Sequence, residues 1–174
     1  MDERLTRIRP MTVADCDRVA EIRTGGWRHA YRGLIPQPFL DGLSARADAE
    51  RRRAGFGRGD GSVVNLVAER AGEVVGWAAH GPSRDGEEHA GEAELYAIYV
   101  DPARLGHGIG RALLAETTKR CAPCPRLRLW VVRDNAPARR FYERAGFRPD
   151  GAEEPFEAGG ALVPEVRYVK ELRV

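Results

Sequence analysis

Three glycines at positions 106, 108 and 110 lie in the stretch RLGHGIGRALL, residues 104 to 114, and an apolar, helix-favouring run follows them. Backbone N–H groups at a helix start have no partner inside the helix and carry the positive end of its dipole. Glycine places no side chain between those donors and a guest. The amides of Gly106, His107, Gly108, Ile109 and Gly110 therefore suit the oxygens of a pyrophosphate. Arg111, and Arg104 before the loop, add cations for charge-assisted contacts. A dinucleotide fingerprint, G-x-G-x-x-G, requires glycine where Arg111 stands, and an acidic residue about 20 positions later is missing from its place. A Walker loop needs Gly-Lys-Ser/Thr, which is absent. A strand-to-helix turn whose glycines serve only its geometry remains the alternative to anion binding.

A second constellation follows one strand later. Asn135, Ala138 and Tyr142 stand at i, i+3 and i+7. Seven helical steps of about 100° return to within ~20° of the start, so the three share one stripe. Asn135 also reads as an N-cap, and Tyr142 also reads as a core aromatic beside Phe141. The small Ala138 and Ala145 let this stripe approach a ligand closely.

The succession ELYAIYVDPARLGHGIGRALL, then NAPARRFYERAGF at 135 to 147, resembles the two cofactor motifs of the GCN5-related N-acetyltransferase (GNAT) family. The likeness is close from Glu92 to Phe147 and looser over nearly the whole chain. The family's loop usually begins with Arg or Gln, a position held here by Leu105, with Arg104 one residue early. The resemblance implies acetyl-CoA as co-substrate. Its pyrophosphate is expected on Leu105, Gly106, His107, Gly108, Ile109, Gly110 and Arg111. Its pantetheine arm is expected along Ile98, Tyr99 and Val100, with further contacts from Asn135 and Ala138. It also implies that Tyr142 is the general acid that protonates the departing thiolate, as a phenol still protonated at neutral pH can.

An amine must be neutral to attack a thioester, so a carboxylate base is wanted near the strand end. Glu92 and Glu94 share strand parity with Tyr96 and Ile98, and Glu94 is placed nearer the expected thioester; solvated strand-end acids are the alternative. A backbone N–H of Ala97 or Ile98 is expected to stabilise the oxyanion. GGWRHAYRGLIP, 25 to 36, resembles the acceptor-bordering first helix of one subset of the family. Trp27 and Tyr31, i and i+4, are there expected to wall an amine, or else to form a plain hydrophobic stripe. Glu153 or Glu154 of GAEEPFEAGG, 151 to 160, is a candidate to attract a cation, or simply a solubilising acid.

Elements must position these groups. Leu5 to Ile8 reads as an edge strand. T-x-x-D from Thr12 to Asp15 starts a helix that the pair Gly25-Gly26 is expected to end near Thr24. A second helical stretch begins near Trp27 and is broken by Gly33 and Pro36, and a polar third covers Ser44 to Ala54. Val63 to Glu69 and Glu73 to Ala79 form a hairpin around Arg70-Ala71-Gly72. Glu92 to Val100 is a strand, Gly108 to Arg120 a helix, Leu127 to Val132 a strand and Ala136 to Ala145 a helix. A strand starts at Phe147, a loop occupies 151 to 160, and Glu165 to Leu172 is the last strand. No repeat or linker appears. The expected architecture is α/β (α+β), one domain over residues 1–174, with a mixed, mostly antiparallel central sheet flanked by helices.

The 174 residues carry 28 basic against 26 acidic side chains, a net charge of +2, without the basic excess of a nucleic-acid binder. No run reaches the ~18 apolar residues of a membrane span, and the charged start lacks a signal-peptide core, so a cytoplasmic location is expected. Cys121 and Cys124 have C-x-x-C spacing, but no second ligand pair accompanies them for zinc, and they follow a helix where a redox pair precedes one. No metal is expected. The expected activity is transfer of acetyl from acetyl-CoA to a primary amine of a small molecule. A protein N-terminus or lysine as acceptor, and a non-catalytic acyl-CoA sensor, are the alternatives. A homodimer is left open.

Overall fold

The computed structural model describes residues 5–172. Seven strands form one sheet in the order β1-β2-β3-β4-β5-β7-β6. They are β1 (Arg7–Pro10), β2 (Val64–Arg70), β3 (Glu73–Pro82), β4 (Ala93–Val100), β5 (Arg126–Val132), β6 (Arg148–Ala158) and β7 (Ala161–Glu171). Every neighbouring pair is antiparallel except β4 and β5. The helices are α1 (Cys16–Ala30), α2 (Gln37–Asp41), α3 (Ala45–Gly55), α4 (Ile109–Arg120) and α5 (Ala136–Arg144). This is the mixed, mostly antiparallel sheet flanked by helices that the sequence leads one to expect.

The sheet's two faces hold separate cores. Ala78, Leu95, Ile98 and Val100 pack with Ile109 and Leu113 of α4 and with Phe141 and Tyr142 of α5. On the other face Val67, Trp77, Ala97 and Tyr99 pack with Cys16, Val19 and Ile22 of α1. Each large side chain so buried contributes roughly 1.5–3 kcal/mol. A third cluster joins Ile35, Leu40, Val132 and Val163 with Trp27, Tyr31 and Phe156, and it closes the far end of the sheet.

Four sequence expectations change. Helix α1 does not end near Thr24 but runs through Gly25-Gly26 to Ala30, so no separate helix begins near Trp27, and the second helix, α2, starts only after Pro36. A Cβ on Gly26 would lie 2.7 Å from Tyr99 Cδ1, so this glycine permits a close helix–strand approach. The stretch 151 to 160 is not a loop: β6 extends to Ala158 and pairs with β7, with the register shift between Pro149 and Glu153 and a turn at Gly159-Gly160. The first strand begins two residues late, and Leu5 is 72% exposed outside it. Finally, Ala79 pairs with Ala97 but His80 with Leu95, which leaves Tyr96 as an extra residue in β4. This bulge resets the alternation, so Glu94 and Ile98 lie on opposite faces although their spacing places them on one.

Strands β4 and β5 pair only at Ala93–Leu127 and Glu94–Arg128 and then diverge. At the joined ends lies a partly buried ionic network. Arg128, 3% exposed, bonds Glu92 and also Asp150 at 3.0 Å. Arg167 reaches Asp150 at 2.8 Å and Asp85 at 3.2 Å, and Asp85 accepts the Trp130 indole N–H at 2.9 Å.

Candidate active site

The divergence of β4 from β5 opens a cleft of about 1130 Å³ at the carboxyl ends of both strands. From Leu95 to Val100 the β4 edge facing β5 has no strand partner, so its backbone groups are free to pair with an extended guest. Ile98, Tyr99 and Val100 all line this cleft.

The glycine loop stands at the cleft mouth. Gly106 and Gly108 take φ of +80° and +77°, a conformation open to glycine and strained for other residues. Gly108 is the N-cap of α4. Among the described residues the amides of 106 to 111 donate to no protein acceptor; the first amide of this segment to do so is Ala112, which bonds the Gly108 carbonyl at 3.0 Å. Arg111 lines the cleft with its guanidinium beside Gly108, while Arg104 is held by Glu73 at 3.0 Å. His107 turns its ring back, Nδ1 lying 2.9 Å from the Leu105 carbonyl oxygen, and Arg70 donates to the His107 carbonyl at 2.6 Å. His107 therefore offers its amide and not its side chain. Gly110 is different again: a Cβ there would meet Phe141 at 3.5 Å and Val100 at 3.6 Å, ordinary contacts at the α4–α5 seam.

Across the cleft, Asn135 caps α5, its Oδ1 accepting from the Ala138 N–H at 3.3 Å. The cap uses the oxygen only, and the side-chain N–H groups remain available to the cleft that Asn135 and Ala138 both line. Tyr142 lines it one turn further on, with its ring edge-on to Phe141 and Phe147 at 5.2 and 5.9 Å. Its hydroxyl has no protein partner among the described residues, and burial, with Tyr31 nearby, raises its pKa well above the usual tyrosine value. The Tyr31 and Tyr99 hydroxyls lie 3.2 Å apart, both also raised by burial. All three phenols stay protonated at neutral pH.

The other end of the cleft is aromatic and acidic. Trp27 packs edge-on against Tyr31 at 5.0 Å and Phe156 at 5.9 Å, and its buried indole N–H has no partner among the described residues. Glu94 is 2% exposed; it accepts from the Arg84 backbone N–H at 2.8 Å and the Arg84 guanidinium at 2.7 Å. Arg84 in turn lies 4.0 Å over the Tyr96 ring. Glu92 lies outside the cleft lining, in the Arg128 network. Burial alone would raise its pKa, but Arg128 holds it below the usual carboxylate range. Glu153 is engaged by Arg133 at 2.8 Å, whereas Glu154 lies opposite Glu165 in the β6–β7 register. Glu165 lines the cleft and is raised in pKa by burial and by the Glu154 and Glu94 charges. No motif or spacing in the sequence singles out Glu165 or Arg84; the first lies inside an ordinary strand and the second inside an acidic loop.

Burial pushes the Cys121 thiol up to about 11, the direction opposite to that of a redox-active thiol. Among the described residues no group of three or more His, Cys, Asp or Glu is placed to hold a metal, and no helix is long and apolar enough to cross a membrane.

Residues 27–147 match the model of the acetyltransferase (GNAT) family. The N-acetyltransferase YuaI of Bacillus subtilis, itself uncharacterized, is 29% identical over 165 residues, 93% of this chain and 91% of its own length. A mycothiol acetyltransferase of Acidothermus cellulolyticus is 34% identical over 170 residues, 87% of this chain but only 50% of that relative. Among solved structures, the PaiA N-acetyltransferase of Thermoplasma acidophilum in complex with coenzyme A superposes with a TM-score of 0.74 at 20% identity, covering 96% of this chain and 99% of that one. The ribosomal-protein-alanine N-acetyltransferase of Brucella melitensis gives 0.71 at 28% identity, covering 95% and 99%.

Proposed function

The chain belongs to the GNAT family of acetyltransferases, and from that membership we propose that it moves an acetyl group from acetyl-CoA to a primary amine of a small molecule. The single observation that carries the reading is the row of unengaged amides from Gly106 to Arg111, set beside an unpaired β4 edge. The first suits a pyrophosphate and the second an extended pantetheine arm, so the residues present fit the co-substrate. Acetyl-CoA supplies the acetyl group as a thioester.

Each protein group then has a task. The loop amides and Arg111 bind the diphosphate. Asn135 offers its free side-chain N–H groups, and Ala138 leaves room beside it. The free backbone of β4 near Ala97 and Ile98 offers an N–H to the developing oxyanion. Tyr142, protonated and unpartnered, gives its proton to the departing thiolate. Trp27 and Tyr31 wall the acceptor, and a carboxylate in the acceptor half, where Glu94 and Glu165 stand, receives the amine's proton. A small acceptor is favoured because Trp27, Tyr31 and Phe156 close this end together with Arg84. The mycothiol acetyltransferases are named for a small molecule as well. The Brucella melitensis neighbour, named for a protein acceptor, keeps peptides in the comparison.

The test is acetyl-CoA turnover, followed as thiol release, against a panel of amino sugars, amino acids, polyamines and peptides with free N-termini. Turnover with a small amine and not with peptides supports the reading. Binding of acetyl-CoA without turnover on any amine would make the protein a sensor module.

A further inference from the structure

The sequence offers Glu92 and Glu94 as base and favours Glu94, but Arg128 engages the first and Arg84 the second. Glu94 Oε2 accepts from the Arg84 backbone and its Oε1 from two guanidinium nitrogens, at 2.7 and 3.3 Å. Glu165 is differently placed. It sits opposite Val132 of β5 and Glu154 of β6, and it lines the same cleft. Among the described residues its carboxylate makes no hydrogen bond or ion pair. Trp27 and Tyr31 line the same cleft, and the Glu165 charge adds to the upward shift of the Tyr31 hydroxyl.

We propose that Glu165 is the catalytic base, taking the proton from the acceptor ammonium, while Glu94 is a positioning residue that holds Arg84. The proposal rests on the amine-acetyltransferase reading above. The ammonium gives one proton to the Glu165 carboxylate and becomes a neutral amine. Its nitrogen forms a bond to the acetyl carbonyl carbon, and the carbon–sulfur bond breaks with its electron pair on sulfur. Tyr142 protonates that sulfur and recovers the second nitrogen proton through solvent. Glu165 then releases its proton to solvent, so the balance is amide, free thiol and one proton.

The groups facing Glu165 act in a definite direction. Burial is the largest influence, followed by the negative charges of Glu154 on β6 and Glu94 on β4; all three raise its proton affinity. Arg84, on the β3–β4 loop, opposes them, and Tyr31, which follows the last residue of α1, is neutral. The net shift is upward, toward working pH, as a base requires. Because the folded protein binds this proton more tightly than the unfolded chain, Glu165 favours folding below the ordinary carboxylate pKa. That contribution is lost as pH rises through the folded value.

The experiment compares wild type with E165Q, E165D and E94Q, reading kcat/KM against pH for an accepted amine and ligand-free melting against pH. E165Q should lower kcat/KM at least about 100-fold and abolish the acid limb of the profile. E165D should restore part of the rate with its acid limb, and E94Q should keep that limb. Without ligand, E165Q should melt above wild type at neutral pH and level with it near pH 4. Glu165 is refuted as base if E165Q keeps kcat/KM within about threefold with the acid limb unchanged, or if the limb disappears in E94Q instead. Wild type that releases no thiol with any amine overturns the amine reading itself, and this proposal with it.

Discussion

Tyr142 is a phenol that burial keeps protonated, facing the cleft without a protein partner for its hydroxyl. Removing that oxygen leaves no orphaned protein group, so Tyr142→Phe should fold normally and show the same acetyl-CoA-induced rise in melting temperature. Its kcat should fall about 10²–10⁴-fold, as expected for loss of a general acid, which thiol release will measure. The raised pKa also predicts no alkaline loss of kcat from Tyr142 until pH exceeds ~10, the ordinary tyrosine value. A profile falling below that pH would assign the acid elsewhere. Asn135, Ala138 and Tyr142 were legible because a helix converts spacing directly into direction. Glu165 was not, because its meaning depends on a cleft formed by strands distant in sequence.

At the level of elements, the glycine loop makes two kinds of demand. Gly108→Ala places a Cβ in a left-handed conformation, which costs about 1–2 kcal/mol, and adds bulk where oxygens must approach. It should weaken acetyl-CoA binding, seen by calorimetry as a raised Kd. Gly110→Ala should be tolerated, because its Cβ makes only ordinary contacts with Phe141 and Val100. If both substitutions weaken binding equally, the open-amide account of the loop is wrong. Helix α1 gives the related case of Gly26: the sequence reads it as a terminator, yet it lies against the Tyr99 ring. A local rule cannot separate a glycine that ends a helix from one that lets it pack closely. The bulge at Tyr96 has the same character, since one unpaired residue redirects every side chain after it.

At the scale of the molecule, the cleft depends on the ends where β4 and β5 remain joined. Arg128 lies there, nearly inaccessible, between Glu92 and Asp150. Arg128→Ala would take from the half-buried Glu92 its nearest cation, while Asp150 keeps Arg167, and should destabilise by about 1–3 kcal/mol. At ~2–4 °C per kcal/mol this lowers the melting temperature by about 2–12 °C, measurable by calorimetry. Acetyl-CoA at 100 times its Kd should act in the other direction. It stabilises by ~2.7 kcal/mol, which raises the melting temperature by about 5–10 °C. Acid should loosen the same architecture. Arg9 holds Asp15 below the usual range, and the Ala103 N–H and Arg18 do so for Asp101 against the effect of burial. Their contribution is complete above the ordinary carboxylate pKa of ~4 and is lost as pH falls through the lower folded values.

The amino-acid sequence alone determined most of the order of helices and strands, the two cofactor motifs and the side of a helix on which Tyr142 lies. These follow from periods and caps within a few residues of one another. Tertiary structure decided which carboxylates meet the cleft. A bulge turned Ile98 away from the face of Glu94, the Arg128 network engaged Glu92, Arg84 closed over Glu94, and the pairing of β7 with β5 and β6 brought Glu165 to the cleft. Each is a long-range pairing whose register no local pattern specifies, because a shift of one residue reverses the face on which a side chain lies.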